Sequence, residues 1–305
     1  MATRRALCLA AGGVLGAAYE IGALAAVEEH LAARDLRQEW DVFVGCSAGA
    51  LVASFLAQGI SARGLYDYFG SADVGPFVLG ERKLRIHRLE RALRDIFGEL
   101  GLTNRFADLS KTLLIPAVDV DATEREVFGA HALETATVTE AVAASCAIPP
   151  FFGPFPIGHR RFVDGAIGSP LHVDLAISAG ATHVLAIDPI APLRRPSARR
   201  SDRGIFAQCQ RIEHASRSAL ALAYAKLMAP HVRTLFLRPP SRAMYRQHPM
   251  DWTAAPELLR LGRELTARQL EAADAAAFFA DARSGLDRKS RSGRLQLATA
   301  QAASA

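Results

Sequence analysis

The sequence predicts an α/β fold of three layers, a mainly parallel central sheet flanked by helices. Two observations carry that expectation. Short apolar runs alternate with helix-period segments along nearly the whole chain, the pattern of a sheet covered on both faces. At two places a buried run ends in glycines and passes straight into a helix, the passage by which parallel sheets present their loops. The composition agrees. Of 305 residues, 50% are hydrophobic and 22% charged, and the mean hydropathy is +0.11, which suits a packed core and excludes a chain too polar to fold.

Taken in order, strands are expected at Arg5–Ala10, Asp41–Gly45, Thr112–Asp119, Arg161–Val163, His183–Asp188 and Arg233–Leu237. Helices are expected at Gly16–Ala33, Ala48–Gln58, Ile86–Leu100, Val138–Ser145, His172–Ala179, Ile205–Met228 and Pro256–Ala282. The first helix is typical of the reasoning: Ile21, Leu24, Ala25, Glu28 and Leu31 recur at helical spacing with one polar intruder. Leu193–Gly204, with one proline and five arginines, reads as a loop. The organisation expected is one domain over residues 1–282 and a basic, disordered tail over 283–305.

Several function classes fall away. The longest apolar stretch, Ala6–Gly22, is interrupted by Glu20 and falls short of the roughly 20 residues that span a bilayer. Arg4 and Arg5 ahead of Ala6–Ala11 and Gly16-Ala17-Ala18 imitate a secretory signal, but the same residues read better as strand, glycine turn and helix. Cys8, Cys46, Cys146 and Cys209 form neither a CxxC pair nor a disulfide framework. A cytoplasmic protein without metal or cofactor is therefore expected. Of the net charge of +5, the tail carries +4, from five cations against Asp287. Arg82–Arg94 and Arg194–Arg203 are further basic clusters. Such runs suit an anionic membrane surface or a solvated face, whereas nucleic-acid binding would need interleaved aromatics or a known module, and neither is present.

Two motifs invite chemistry. Gly45-Cys46-Ser47-Ala48-Gly49 joins a buried strand to an alanine-rich helix, the setting of a nucleophile elbow in which small residues let strand and helix approach and leave a serine exposed above the sheet. Ala11-Gly12-Gly13-Val14-Leu15-Gly16 lacks the spacing of a dinucleotide fingerprint, but as a glycine-rich helix start it can aim backbone N–H groups at an oxyanion. A serine needs a base. None of the nine histidines sits in an orienting motif, although His172 and His183 stay open. Asp164, at a strand end in the turn Asp164-Gly165-Ala166-Ile167-Gly168, is either a carboxylate facing the serine or an Asx turn.

In combination these blocks resemble the patatin-like phospholipases, in that family's order: the glycine loop with Ile21-Gly22-Ala23-Leu24, the elbow around Ser47, and the Asp164-Gly165-Ala166 turn. Ala144–Phe152 and Gly180–His183 resemble the segments before and after that aspartate, so the likeness runs over about residues 5 to 190. The resemblance implies a lipid acyl hydrolase with a Ser47–Asp164 dyad, an oxyanion hole from the N–H groups of Gly12, Gly13 and Ala48, and a lipid or phospholipid as partner. This chain departs from the family in having Ala11 in place of a first glycine and Leu15 where Arg or Lys is common. The rival readings are a catalytically weak lipid-binding protein of the same fold and a histidine-dependent serine esterase or acyltransferase.

Overall fold

The structure is a computed structural model and describes residues 3–32, 36–71, 85–130, 136–192, 202–240 and 252–280. Eight strands form one sheet: β1 (Arg5–Leu9), β2 (Val42–Gly45), β3 (Thr112–Asp119), β4 (Glu124–Phe128), β5 (Phe155–Ile157), β6 (Arg160–Asp164), β7 (His183–Ile187) and β8 (Arg233–Leu237). Their order is β5-β6-β3-β2-β1-β7-β8, with β4 also pairing to β3. From β3 to β8 every pairing is parallel, whereas β4, β5 and β6 add an antiparallel edge. β1 and β7 are buried throughout, as apolar runs with helices on both sides must be.

The described helices are α1 (Gly13–Leu31), α2 (Leu36–Glu39), α3 (Ala48–Leu56), α4 (Ala62–Ser71), α5 (Ile86–Glu99), α6 (Val138–Ser145), α7 (Val173–Ser178), α8 (Asp202–Met228) and α9 (Ala255–Leu270). Two core clusters lie on opposite sides of the sheet. Leu7, Leu9 and Phe43 point into one, with α1, α3 and α9, while Ala6, Cys8, Val42 and Val44 point into the other, with α7. That split is the period-2 alternation of strands buried on both faces. α9 docks on α1 with almost no room for side chains, since a Cβ at Gly22 would meet the Leu259 carbonyl oxygen at 2.0 Å and one at Gly262 would meet that of Tyr19 at 2.2 Å.

The six expected strands and seven expected helices are present, with shifts at their ends. α1 starts three residues early, at Gly13, because glycine carries the positive φ of 63° there. The last helix breaks at residues 271–272 and resumes over 273–280. Strands β4 and β5 and helices α2 and α4 were not expected. The tail over 283–305, most of the Leu193–Gly204 loop, and Arg82 and Lys83 of the basic cluster lie outside the described residues.

Candidate active site

Parallel strands end at one edge of the sheet, and three loops meet there. The register sets their levels. Leu9 pairs with Gly45, so the glycine loop after β1 and the turn after β2 emerge side by side. Val44 pairs with Leu114, which brings Ser47 level with Ala117, and Ala117 pairs with Asp164.

The turn after β2 is tight because both flanking glycines are pressed against backbone. A Cβ at Gly45 would lie 2.3 Å from the Gly49 carbonyl oxygen, and one at Gly49 would lie 2.4 Å from that of Leu9. Ser47, the N-cap of α3, is held at φ 53° and ψ −116°, a strained conformation for a residue with a side chain. Its N–H donates to Ser145 Oγ at 2.9 Å, and Ser145 Oγ donates to the Pro116 carbonyl at 2.7 Å. Ser145 is held there by α6, whose start is fixed by a reciprocal Thr137–Glu140 capping box. In the first turn of α3, the Gly49 and Ala50 N–H groups bond back to Cys46 and Ser47, and the first helical N–H, that of Ala48, has no intrahelical acceptor.

Ser47 Oγ donates to Asp164 Oδ2 at 2.6 Å, with both side chains buried. The other carboxylate oxygen, Oδ1, accepts the Ala166 N–H at 2.8 Å. The two readings of this residue therefore coincide: one oxygen closes an Asx turn and the other faces the serine. Burial pushes the Asp164 pKa up from 3.8 to about 7, against the smaller lowering effects of the Ser47 and Ala166 hydrogen bonds and the charge of His214. Gly165 allows the turn to sit against β3, where a Cβ would meet the Pro116 carbonyl oxygen at 2.5 Å.

On the other side of the serine, Gly13, Val14 and Ala48 line a small, mainly apolar cavity with Ser47, Cys146, Ile148 and Phe152. Gly12 is not among its lining residues; it caps α1 against Pro189. The Ala10 and Ala11 N–H groups are spent on the carbonyls of Ile187 and Pro170.

Neither histidine singled out from the sequence is bonded to the serine. His183 opens β7, paired with Arg5 at the opposite end of the sheet from Ser47. His172 is buried, contacts Arg125 Nη1 through Nδ1, and is pushed down to about 4, mainly by burial. The sequence reading passed over His214, whose Nε2 pairs with Asp188 Oδ1 at 2.9 Å, and Arg217, whose Nη1 donates to the carbonyls of Ala166 and Ile167 just beyond Asp164. Both lie on α8, one helical turn apart, and nothing local in sequence links that helix to the Asp164 turn. Glu20 is wholly buried, and its carboxyl is held well above the ordinary range by burial and by Asp188. Cys46 is buried, with its thiol pushed up, which fits a filler and not a nucleophile.

The sequence profile of the patatin-like phospholipases matches residues 7–177, more than half of the chain. The chain belongs to the patatin-like phospholipase family. Its general activity is accordingly hydrolysis of lipid esters. Solved structures that resemble it include VipD and ExoU. VipD from Legionella pneumophila has a TM-score of 0.50 at 12% identity, with 88% of this chain and 67% of that one covered. The type III effector protein ExoU has a TM-score of 0.41 at 16% identity, with 88% and 53% covered. The chain thus spans about two thirds of the first and about half of the second, and at such identities the likeness to VipD is one of fold.

Within this family the two departures now have structural counterparts. Ala11 takes a position whose N–H is used inside the fold, and Leu15 is fully buried in the main core. No helix among the described residues is long and apolar enough to cross a membrane, and no cluster of three metal-ligating side chains occurs among them.

Proposed function

We propose that this patatin-like protein cleaves carboxylic esters of lipids with a Ser47–Asp164 dyad. The buried 2.6 Å hydrogen bond between Ser47 Oγ and Asp164 Oδ2 is the observation that carries the reading. Ser47 Oγ attacks the ester carbonyl carbon while its proton passes to Asp164. The carbonyl oxygen becomes an oxyanion, stabilised by the N–H groups of Gly13 and Ala48, the residues at the starts of α1 and α3 that line the cavity beside Ser47. Collapse of the tetrahedral intermediate expels the alcohol, which receives the proton, and leaves an acyl-serine. Water attacks the acyl-serine with its proton taken by Asp164, and the fatty acid departs as the hydroxyl re-forms.

A base with a pKa near neutrality suits this cycle, since it accepts a proton and returns it at similar driving force. Strain at Ser47 supports the same role, by keeping the hydroxyl turned out of the helix. The Ser47 N–H is engaged by Ser145, which leaves oxyanion binding to its neighbours. Residues 1–282 would form the catalytic domain, and the basic tail would hold it at an anionic membrane surface on the cytoplasmic side. A buried Leu15 offers no charge to a phosphate, which leaves neutral-lipid esters and lysophospholipids within reach beside diacyl phospholipids. Labelling with a serine-directed fluorophosphonate tests the assignment: the adduct is expected on Ser47, and an unlabelled, folded protein that hydrolyses no ester would overturn it.

A further inference from the structure

Helix α8 has two apolar faces, and the fold uses one of them. Ala215, Ser218, Leu222 and Ala225 recur every three or four residues and turn inward, the last two against the core cluster on the α7 side of the sheet. On the opposite side Ile205, Cys209, Ile212, Ser216, Leu220, Ala223 and Leu227 form a stripe about 33 Å long, and all seven are exposed. The large side chains of the stripe and its border, Ile205, Phe206, Ile212, Leu220 and Leu227, are 48% to 77% exposed. A monomer rarely leaves so continuous an apolar patch to water.

The spacing of the stripe is self-complementary. Its steps are 4, 3, 4, 4, 3 and 4 residues, the same from either end, with Ser216 at the centre. A second α8 laid antiparallel on it, about a twofold axis at Ser216, sets Ile205 level with the partner's Leu227, Cys209 with the partner's Ala223, Ile212 with the partner's Leu220, and Ser216 with its own counterpart. Large layers then alternate with small ones, which lets the helices close while the large side chains interdigitate.

We propose that α8 pairs with α8 of a second copy in this way, and that the protein is a homodimer. At roughly 100 Å² for each of the five large side chains, two copies bury on the order of 1,000 Å², the size at which a specific interface begins. The charges fit as well. Glu213, bonded to Arg217 of its own helix, comes within two residues of the partner's Arg217, about 3 Å along the helix axis. A lipid surface is disfavoured on two counts. The cavity at Ser47 is lined by α1 and α3 on the other face of the sheet, so a bilayer on the stripe would lie away from it. Glu213, 58% exposed and one turn from Ser216, would be repelled by anionic lipid.

The test is sedimentation of the full chain, with folding checked by circular dichroism. Wild type is expected at twice the chain mass of 32.7 kDa, and Leu220→Glu, which sets an acid beside Glu213 of the partner in both halves of the seam, should weaken the pairing by about 100-fold or more. The axis has its own readout. With the helices 8–10 Å apart, the two Ser216 Cα atoms face each other at about 5 Å, within reach of a disulfide. Ser216→Cys in a Cys209→Ser background should therefore form a covalent dimer on mild oxidation. Wild type should not, since the two Cys209 residues lie about 21 Å apart along the pair. Oxidative crosslinking of wild type through Cys209 would overturn the antiparallel seam. A monomeric wild type at 100 µM overturns the proposal, whether the stripe then binds vesicles of phosphatidylcholine and phosphatidylglycerol or is covered by another segment of the chain. A folded Leu220→Glu protein that stays dimeric overturns it too. None of these outcomes touches the assignment of Ser47.

Discussion

Asp164 must be ionised to take the serine proton, and its surroundings resist ionisation, so activity should depend steeply on pH. Burial raises its pKa from 3.8 to about 7. At pH 8 about nine tenths of the free enzyme carries the carboxylate, and at pH 5 about one hundredth does, so kcat/KM should fall about 100-fold between them, one decade per pH unit below the midpoint. The same burial acts on stability. The folded state binds a proton that the unfolded state has released between about pH 4 and pH 7, so wild-type stability falls as pH rises through that window. The rise from 3.8 to about 7 is worth about 4 kcal/mol at most. Asp164→Asn should therefore melt above wild type at pH 8 and lose that advantage below about pH 4. The assay is initial-rate hydrolysis of a soluble ester from pH 4.5 to 9, with thermal melts of both proteins. Full activity maintained down to pH 5, with no relative gain in melting temperature for Asp164→Asn at pH 8, would refute the placement of a buried base at this position.

Ser47→Ala and Ser47→Gly should each lower ester turnover by on the order of 10⁴ or more. The glycine variant should also melt higher than the alanine one, because it relieves a positive φ worth about 1–3 kcal/mol; equal melting temperatures would show that the elbow is unstrained. Gly13→Val puts a β-branched side chain at φ 63° and should cost roughly 10² to 10³ in kcat as an oxyanion donor turns away, whereas normal kcat would make the loop a connector. Removing residues 283–305, and with them +4 of net charge, should weaken binding to anionic vesicles in a salt-dependent way and spare a soluble short-chain ester. Vesicle binding that survives both truncation and high salt would leave the tail without that role.

The elements legible in the sequence were those with a local signature. β3, β8 and α6 match their expected bounds, β3 and β8 by the apolar residues Leu113–Val118 and Leu235–Leu237 and α6 by its Thr137–Glu140 cap. β4 is half-exposed and polar, Glu124-Arg-Glu-Val-Phe128, and exists because it pairs with β3. β5 has three residues and holds a proline, and depends on β6. At the site, Ser47, Gly13 and Asp164 stood out because a turn needing small residues leaves a written pattern. His214 and Ser145 did not, since one meets Asp188 across 26 residues and the other meets Ser47 across 98, and long-range pairs carry no local period.

The claim that a carboxylate, and no imidazole, takes the serine proton is tested most directly by kcat/KM for Asp164→Asn beside His214→Gln, both confirmed as folded. His214 bonds to Asp188, and its charge lowers the Asp164 pKa from a distance. His214→Gln is therefore expected to retain at least a tenth of wild-type kcat/KM, about 1.4 kcal/mol, with the ascending limb of its pH profile moved upward. Asp164→Asn is expected to fall by about 10³ or more at every pH. A dead His214→Gln protein alongside a mildly impaired Asp164→Asn one would contradict the dyad.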